Sequence, residues 1–374
     1  MTVSNLHLVG SNSAIIAFIG TQANAIFAAR FDAVRNRFTM LGSVAEIPRP
    51  TFVLADPQRR VLYAVSEIGN AGDAVGHVFT FAIQEDGMLC LLSRHETCGG
   101  GPTHLTLDAA GRTLFVANFG GGEVSVFPIF PDGSLGPVSS VQGNKGSGPH
   151  RRQQNAHAHG VTVDPSQQWL LVPDMGADRV FVHRYDAASQ TIAEALVPAL
   201  ATAPGSGPRL ICFGKSGRFA YLLTELSAEI CTFAWYADEG RLVLLESRPL
   251  GAPGSQAAPD AAALRLSADG LTLFASNRSQ ETIEVFAIEP ESGMLTHRHS
   301  VASGGARPWA VEIIPDRRLL AVANQGSDLV QSFAIDTASG LLSPLGDPLA
   351  VPTPTSIAFA RGLPAGIGGQ SFYR

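Results

Sequence analysis

An apolar strand of six residues recurs along this chain roughly every fifty positions, and each end of the chain carries only part of the repeat. The strand reads LYAVSE (62–67), LFVANF (114–119), LLVPDM (170–175), YLLTEL (221–226), LFASNR (273–278) and LAVANQ (320–325). Aligned on Ser66, Asn118, Asp174, Glu225, Asn277 and Asn324, the copies are spaced 52, 56, 51, 52 and 47 residues apart. Another strand follows each copy, from GHVFTFAI (76–83) to DLVQSFAI (328–335). Turns such as Glu85-Asp86-Gly87 and Pro131-Asp132-Gly133 then lead to a short fourth strand. Helical periodicity is absent. Four short strands per unit at this period are the mark of a β-propeller blade.

The ends complete the count. Residues 14–41 read as the second, third and fourth strands of a blade that lacks its first. PTSIAFA (354–360) reads as a first strand with nothing after it, like PTFVLAD (50–56) and PTHLTLD (102–108). Joining the two predicts a closed ring with no exposed sheet edge to invite aggregation. The expected fold is therefore all-β: a seven-bladed β-propeller of four-stranded blades, in a single domain over residues 1–374, closed by the C-terminal strand joining the N-terminal strands.

Composition narrows the function. Of 374 residues, 45% are apolar, enough for a packed core, and the net charge of −6 shows no basic face for nucleic acid. The only local basic cluster is His150-Arg151-Arg152. Cys90, Cys98, Cys212 and Cys231 fit no zinc spacing and no secreted disulfide scaffold. The runs Gly99–Gly101 and Gly120–Gly122 lack the Lys-Ser/Thr of a phosphate loop and read as turns. No Lys or Arg precedes Arg30, and the apolar stretch Ala14–Gly20 is too short to span a bilayer. The expectations are a cytoplasmic chain, a monomer or small homo-oligomer, with no membrane or nucleic-acid partner, no metal and no cofactor.

In a propeller, the start of the first strand and the end of the second lie on the same face. Counting along the repeats, the first-strand openings are Thr51, Thr103, His159, Arg209, Ala262 and Trp309, and the second strands end at Ser66–Glu67, Asn118, Asp174, Glu225, Asn277–Arg278 and Asn324–Gln325. The two sets converge on one mouth of the central channel. His159, Arg209, Glu225 and Arg278 together suit a small anionic ligand and proton transfer near neutral pH. His104, Asn118, His157, Asp174, Asn277, Asn324 and Gln325 are candidate substrate contacts. Asn and Asp at strand ends serve equally well as turn residues, and Arg209 with Glu225 equally well as a structural ion pair. Neither a G-x-S-x-G elbow nor an H-E-x-x-H motif is present.

The ordered set GGGPTHLTLDAAGRTLFVANFGGGEVSVFPI, RRQQNAHAHGVTVDP, DMGADRV, GPR, TEL, LSADGLTLFASNR, TIEVFAI and LLAVANQ closely resembles the propeller lactonase family. That family includes bacterial 6-phosphogluconolactonases and the fungal carboxy-cis,cis-muconate lactonizing enzyme. The resemblance spans nearly the whole chain and implies active-site roles for His159, Arg209, Glu225 and Arg278. Three positions depart from the family pattern: Leu210 stands where a His is usual, Ala263 where an acid is usual, and Trp309 where an Arg follows Pro. These departures predict a less polar mouth. The resemblance implies hydrolysis of a small anionic lactone, with 6-phosphogluconolactone first. The alternatives are lactonization of a muconate-type diacid, a Ca²⁺-dependent lactonase using Glu67, Asn118, Asp174 and Glu225, and a propeller that binds a ligand or protein without catalysis.

Overall fold

A computed structural model of the chain describes residues 13–32, 34–251, 258–336 and 339–364. The ends of the span expected as one domain, residues 1–12 and 365–374, lie outside the described residues. Seven four-stranded antiparallel sheets form the blades of a propeller. Blade 1 joins the strands Ser13–Thr21, Ile26–Asp32 and Arg37–Ala45 to the C-terminal strand Pro354–Pro364. Blades 2 to 7 then follow as Val53–Glu96, Pro102–Gly143, Thr162–Ala201, Pro208–Pro249, Ala261–Ala302 and Pro308–Ala350. The single helical piece among the described residues is a 3₁₀ turn at Gln325–Ser327. The ring closes as the half-units predicted, with Ile19 opposite Ile357 and Ile15 opposite Arg361.

The second strand of each blade is buried on both sides, which is why it reads as a continuous apolar run rather than an alternating one. Val61–Ser66, Thr113–Asn118, Trp169–Asp174 and Leu319–Asn324 are buried at every position. Alternate side chains serve opposite neighbours. In blade 1, Ile16 and Phe18 pack toward blade 2, while Ile15, Ala17 and Ile19 pack toward blade 7. Seven apolar clusters result, one at each interface between adjacent blades. Polar ties reinforce the interfaces. Tyr63 Oη donates to the carbonyl of Gly133 at 2.9 Å, and Tyr221 Oη to that of Gly293 at 3.0 Å, each in a turn of the next blade.

The Asp that recurs after the first strand secures the turn into the second. Asp56 accepts the amides of Gln58 and Arg59, Asp108 those of Arg112 and Thr113, and Asp164 those of Gln168 and Trp169. Fixing this turn fixes the depth of the inner strand along the axis, and so the height at which its opening residue meets the channel.

Removal of residues 354–374 would leave strand Ser13–Thr21 as an unpaired apolar edge. The expected outcome is a large drop in melting temperature with aggregation visible by light scattering. A truncated chain that stays monomeric with an unchanged melting temperature would show that closure contributes little.

Candidate functional site

Inner strands of all seven blades line one cavity of about 910 Å³ along the axis. A common irregularity aims side chains into it. The pairing of first and second strands slips between Pro102 and His104, Pro208 and Leu210, Ala261 and Leu264, and Pro308 and Ala310. In blade 4 the amides of His159 and Gly160 both point at the carbonyl of Pro173, at 3.0 and 3.4 Å. Two residues opposing one is a β-bulge, a device that re-aims a side chain. The bulged positions include Thr103, His159, Arg209, Ala262 and Trp309, the openings found by counting along the repeats. Gly160 is needed beside His159, because a Cβ there would stand 2.7 Å from the carbonyl oxygen of Arg209 in the next blade.

His159, Arg209, Glu225 and Arg278 are brought together and buried. Glu225 follows the strand Phe219–Thr224, whose Thr224 pairs with Pro208, so Glu225 and Arg209 stand side by side within one blade. Arg209 donates to Glu225 Oε2, to His159 Nε2 at 2.5 Å and, through Nε, to the carbonyl of Ala262 at 2.8 Å. Arg278 reaches Glu225 Oε1 at 3.1 Å and also pairs with Asp260. His159 Nε2 lies 3.7 Å from Glu225 Oε2. His159 Nδ1 and Arg278 Nε are buried without a partner.

The electrostatics follow from this packing. Burial alone would raise the Glu225 carboxyl. Arg209, Arg278, His159 and Arg152 outweigh it and hold the group ionised, well below the usual carboxylate range. Burial, and then the Arg209 charge, hold the His159 imidazole well below 6.5 against the pull of Glu225. Burial lowers Arg209 to about 10, with Glu225 opposing, so the guanidinium stays charged at neutral pH. The neutral imidazole accepts from Arg209 on Nε2 and therefore carries its proton on Nδ1.

The other sequence candidates divide into those on the cavity and those behind it. His104 lines the cavity, with its ring against Phe52 at 4.5 Å and its Nδ1 facing the Val161 amide at 3.3 Å. Burial, then Arg265 and Arg209, lower it to about 3. His157 lies behind the wall, stacked on Phe119 at 4.5 Å and bonded to the Phe119 carbonyl at 2.7 Å, while Phe119 sets its edge against His159. Asn118, Asp174, Asn277, Asn324 and Gln325 do not line the cavity. Asn118 bonds Ser125, Asn324 the Ser303 carbonyl, Asn277 Ser279, and Gln325 Gln22. Asp174 accepts the amides of His157, Gly176 and Ala177. Asp174 and Asn277 thus fill the turn roles that their residue types equally suggested, whereas Asn118 and Asn324 tie neighbouring strands and Gln325 ties blade 7 to blade 1. The four oxygens expected for Ca²⁺ are not gathered: Glu67 and Glu225 face the cavity, whereas Asn118 and Asp174 do not. Among the described residues no group of three or more His, Cys, Asp or Glu is placed to hold a metal.

Leu210, Ala263 and Trp309, the departures that predict a less polar mouth, line the cavity. Charged side chains from the strands and from the connecting segments stand beside them. Arg49, Arg152, Arg209, Arg265, Arg278 and Arg307 face four carboxylates, an excess of two positive charges. Asp260, in the loop before the inner strand of blade 6, pairs with Arg278. Trp309 lies under the arginines, its ring centre 4.4 Å from Arg278, 5.7 Å from Arg209 and 5.8 Å from Arg307, a cation–π arrangement. Arg152 arrives from the long segment before blade 4 and bonds Glu225 Oε1 at 2.7 Å. Alignment of the repeats missed Arg152, Asp260 and Arg307. Asp260 and Arg307 share with Arg49 the repeat position just before the inner-strand opening, where each carbonyl accepts the amide that follows the second strand, from Arg278, Gln325 and Glu67; Arg152 has no such counterpart. Its one available signal was the basic cluster beside His157 and His159.

A family model described as lactonase, 7-bladed beta-propeller, matches residues 8–359. A 6-phosphogluconolactonase of Bacillus subtilis is 26% identical over 349 residues, covering 92% of this chain and 98% of that protein. A 6-phosphogluconolactonase of Sodalis glossinidius is 30% identical over 72% of this chain and 77% of its own length. Among solved structures, the periplasmic gluconolactonase of Pseudomonas aeruginosa superposes with a TM-score of 0.86 at 35% identity, covering 93% of this chain and 99% of the other.

Glu225→Gln would leave the buried Arg209 and Arg278 without their shared counter-charge. The expected loss is about 3–5 kcal/mol of unfolding free energy, read from denaturant midpoints. A midpoint close to that of the wild type would mean that Asp260 and the carbonyls of Ala261 and Ala262 suffice for the two guanidiniums.

Proposed function

This chain belongs to the seven-bladed β-propeller lactonase family, and from that premise we propose that it hydrolyses 6-phosphogluconolactone to 6-phosphogluconate. It is a hydrolase of lactone esters. The observation that carries the choice of substrate is the charge of the cavity, where six arginines outnumber four carboxylates. Such a surplus favours a ligand bearing a phosphate over a neutral lactone. The names of the Bacillus and Sodalis relatives support the same choice.

In the proposed reaction, the substrate draws Arg209 from His159 Nε2 to the lactone carbonyl oxygen, and the freed Nε2 takes a proton from water as the water oxygen attacks the carbonyl carbon. The carbonyl π electrons move onto oxygen, and Arg209 and Arg278 hold the oxyanion. Collapse of the tetrahedral intermediate breaks the ring C–O bond, and the imidazolium returns its proton to the leaving alkoxide oxygen, which becomes the sugar-acid hydroxyl. Glu225 stays ionised. It fixes both guanidiniums and, 3.7 Å from His159, offsets the charge that the imidazole acquires. Its strongly lowered pKa makes it a poor proton acceptor, so the role of base goes to His159. Location in the cytoplasm stays part of the proposal. It rests on four cysteines that are all free thiols.

Two measurements test this reading. Arg209→Ala is expected to lower kcat/KM for 6-phosphogluconolactone by about 10²–10³ with an unchanged circular dichroism spectrum; near wild-type turnover would remove Arg209 from the mechanism. The base acts only when deprotonated, and His159 is held below 6.5. The rate should therefore stay flat through neutrality and fall only as pH drops below 6.5. An acid limb centred above that value would exclude His159 as the base.

A further inference from the structure

Three arginines at the rim of the cavity are about half exposed, Arg49, Arg152 and Arg307, and only Arg152 among them touches Glu225. Its mounting differs from that of the two buried arginines. Arg209 and Arg278 each hold a backbone carbonyl as well as a carboxylate. Arg152 has Glu225 at 2.7 Å and, beyond that, only the thioether of Met175 at 3.5 Å. Its backbone is nevertheless fixed. The adjacent Gln153, fully buried, donates to the carbonyl of Met175 at 2.8 Å and to Asp178 at 2.6 Å, and accepts the amide of His150 at 3.0 Å. The result is a charged arm of four rotatable side-chain bonds on a rigid base, set where solvent meets the buried cluster.

Resting on the phosphorylated-lactone reading, we propose that Arg152 is a specificity residue that trades Glu225 for the remote phosphate of the substrate. The exchange costs Glu225 little, because Arg209 and Arg278 continue to neutralise it. It gives the guanidinium a dianion that it can grip through two parallel N–H bonds. It also clears Arg152 from Glu225 Oε1, on the side where the cavity opens. Phosphate recognition then comes from the segment preceding blade 4 and needs no arginine at position 309.

The test compares two stable acids, gluconate and 6-phosphogluconate, by calorimetric titration against the wild type, Arg152→Gln, Arg152→Lys and Gln153→Ala. The wild type should bind the phosphorylated acid more tightly. Arg152→Gln should cut that preference by about tenfold or more, and Arg152→Lys should restore part of it, since a lysine keeps the charge but loses the fork. Gln153→Ala loosens the base of Arg152 and should weaken the phosphorylated acid while leaving gluconate close to the wild type. An equal loss for both acids in Arg152→Gln, or a wild type without preference, overturns the role of Arg152. Failure of the wild type to hydrolyse 6-phosphogluconolactone, with the preference present and lost in Arg152→Gln, would refute the proposed reaction and leave the phosphate site standing.

Discussion

The ladder between Ile15–Ile19 and Ile357–Arg361 is the contact on which the rest of the molecule depends. It joins the two ends of the chain, so its loop-closure entropy is the largest in the fold. In return it turns seven sheets, each needing a neighbour on both faces, into a ring in which every apolar face is covered. Without it, blades 1 and 7 would each expose an interface, and the axial cavity would have no continuous wall. Every other feature of the site presumes that this wall is complete.

Within the wall, one buried carboxylate organises the chemistry. Glu225 meets Arg152, Arg209 and Arg278, from three different parts of the chain. Burying so many charges is costly unless each is paired and hydrogen-bonded, and here most of the pairing is done by backbone carbonyls and two acids. The same arrangement holds His159 neutral and leaves net positive charge facing the cavity. A buried charged cluster of this kind is not explained by stability alone.

Trp309 shows how a substitution at a repeat position is absorbed. Its indole stands where the family resemblance implies an Arg, and it is the surface on which the neighbouring guanidiniums lie. Further charge comes from Asp260, Arg307 and Arg152, all in connecting segments. Strands are constrained by pairing and by packing on both faces, whereas loops over a rigid ring can change length and charge freely. The proposed specificity therefore lies mainly in the connecting segments, while the strands fix orientation.

The blade count, the closure by the chain ends and the four-residue cluster were legible in the sequence. Each rests on a period, and a period survives translation into space: residues at equivalent positions in successive blades must fall at equivalent heights around the axis. That reasoning reached His159, Arg209, Glu225 and Arg278 directly. It also placed Asn118, Asp174, Asn277 and Asn324 at the right ends of their strands, yet could not tell which way their side chains turn. Only the tertiary structure separated the bulged residues that enter the cavity from the strand-end residues that bond turns and neighbouring strands instead. Only the tertiary structure brought Arg152, Asp260 and Arg307 to the site. Arg152 lies outside the repeat, in the long segment before blade 4, while Asp260 and Arg307 stand directly before the inner strands of blades 6 and 7, where only the closed ring shows which way they turn.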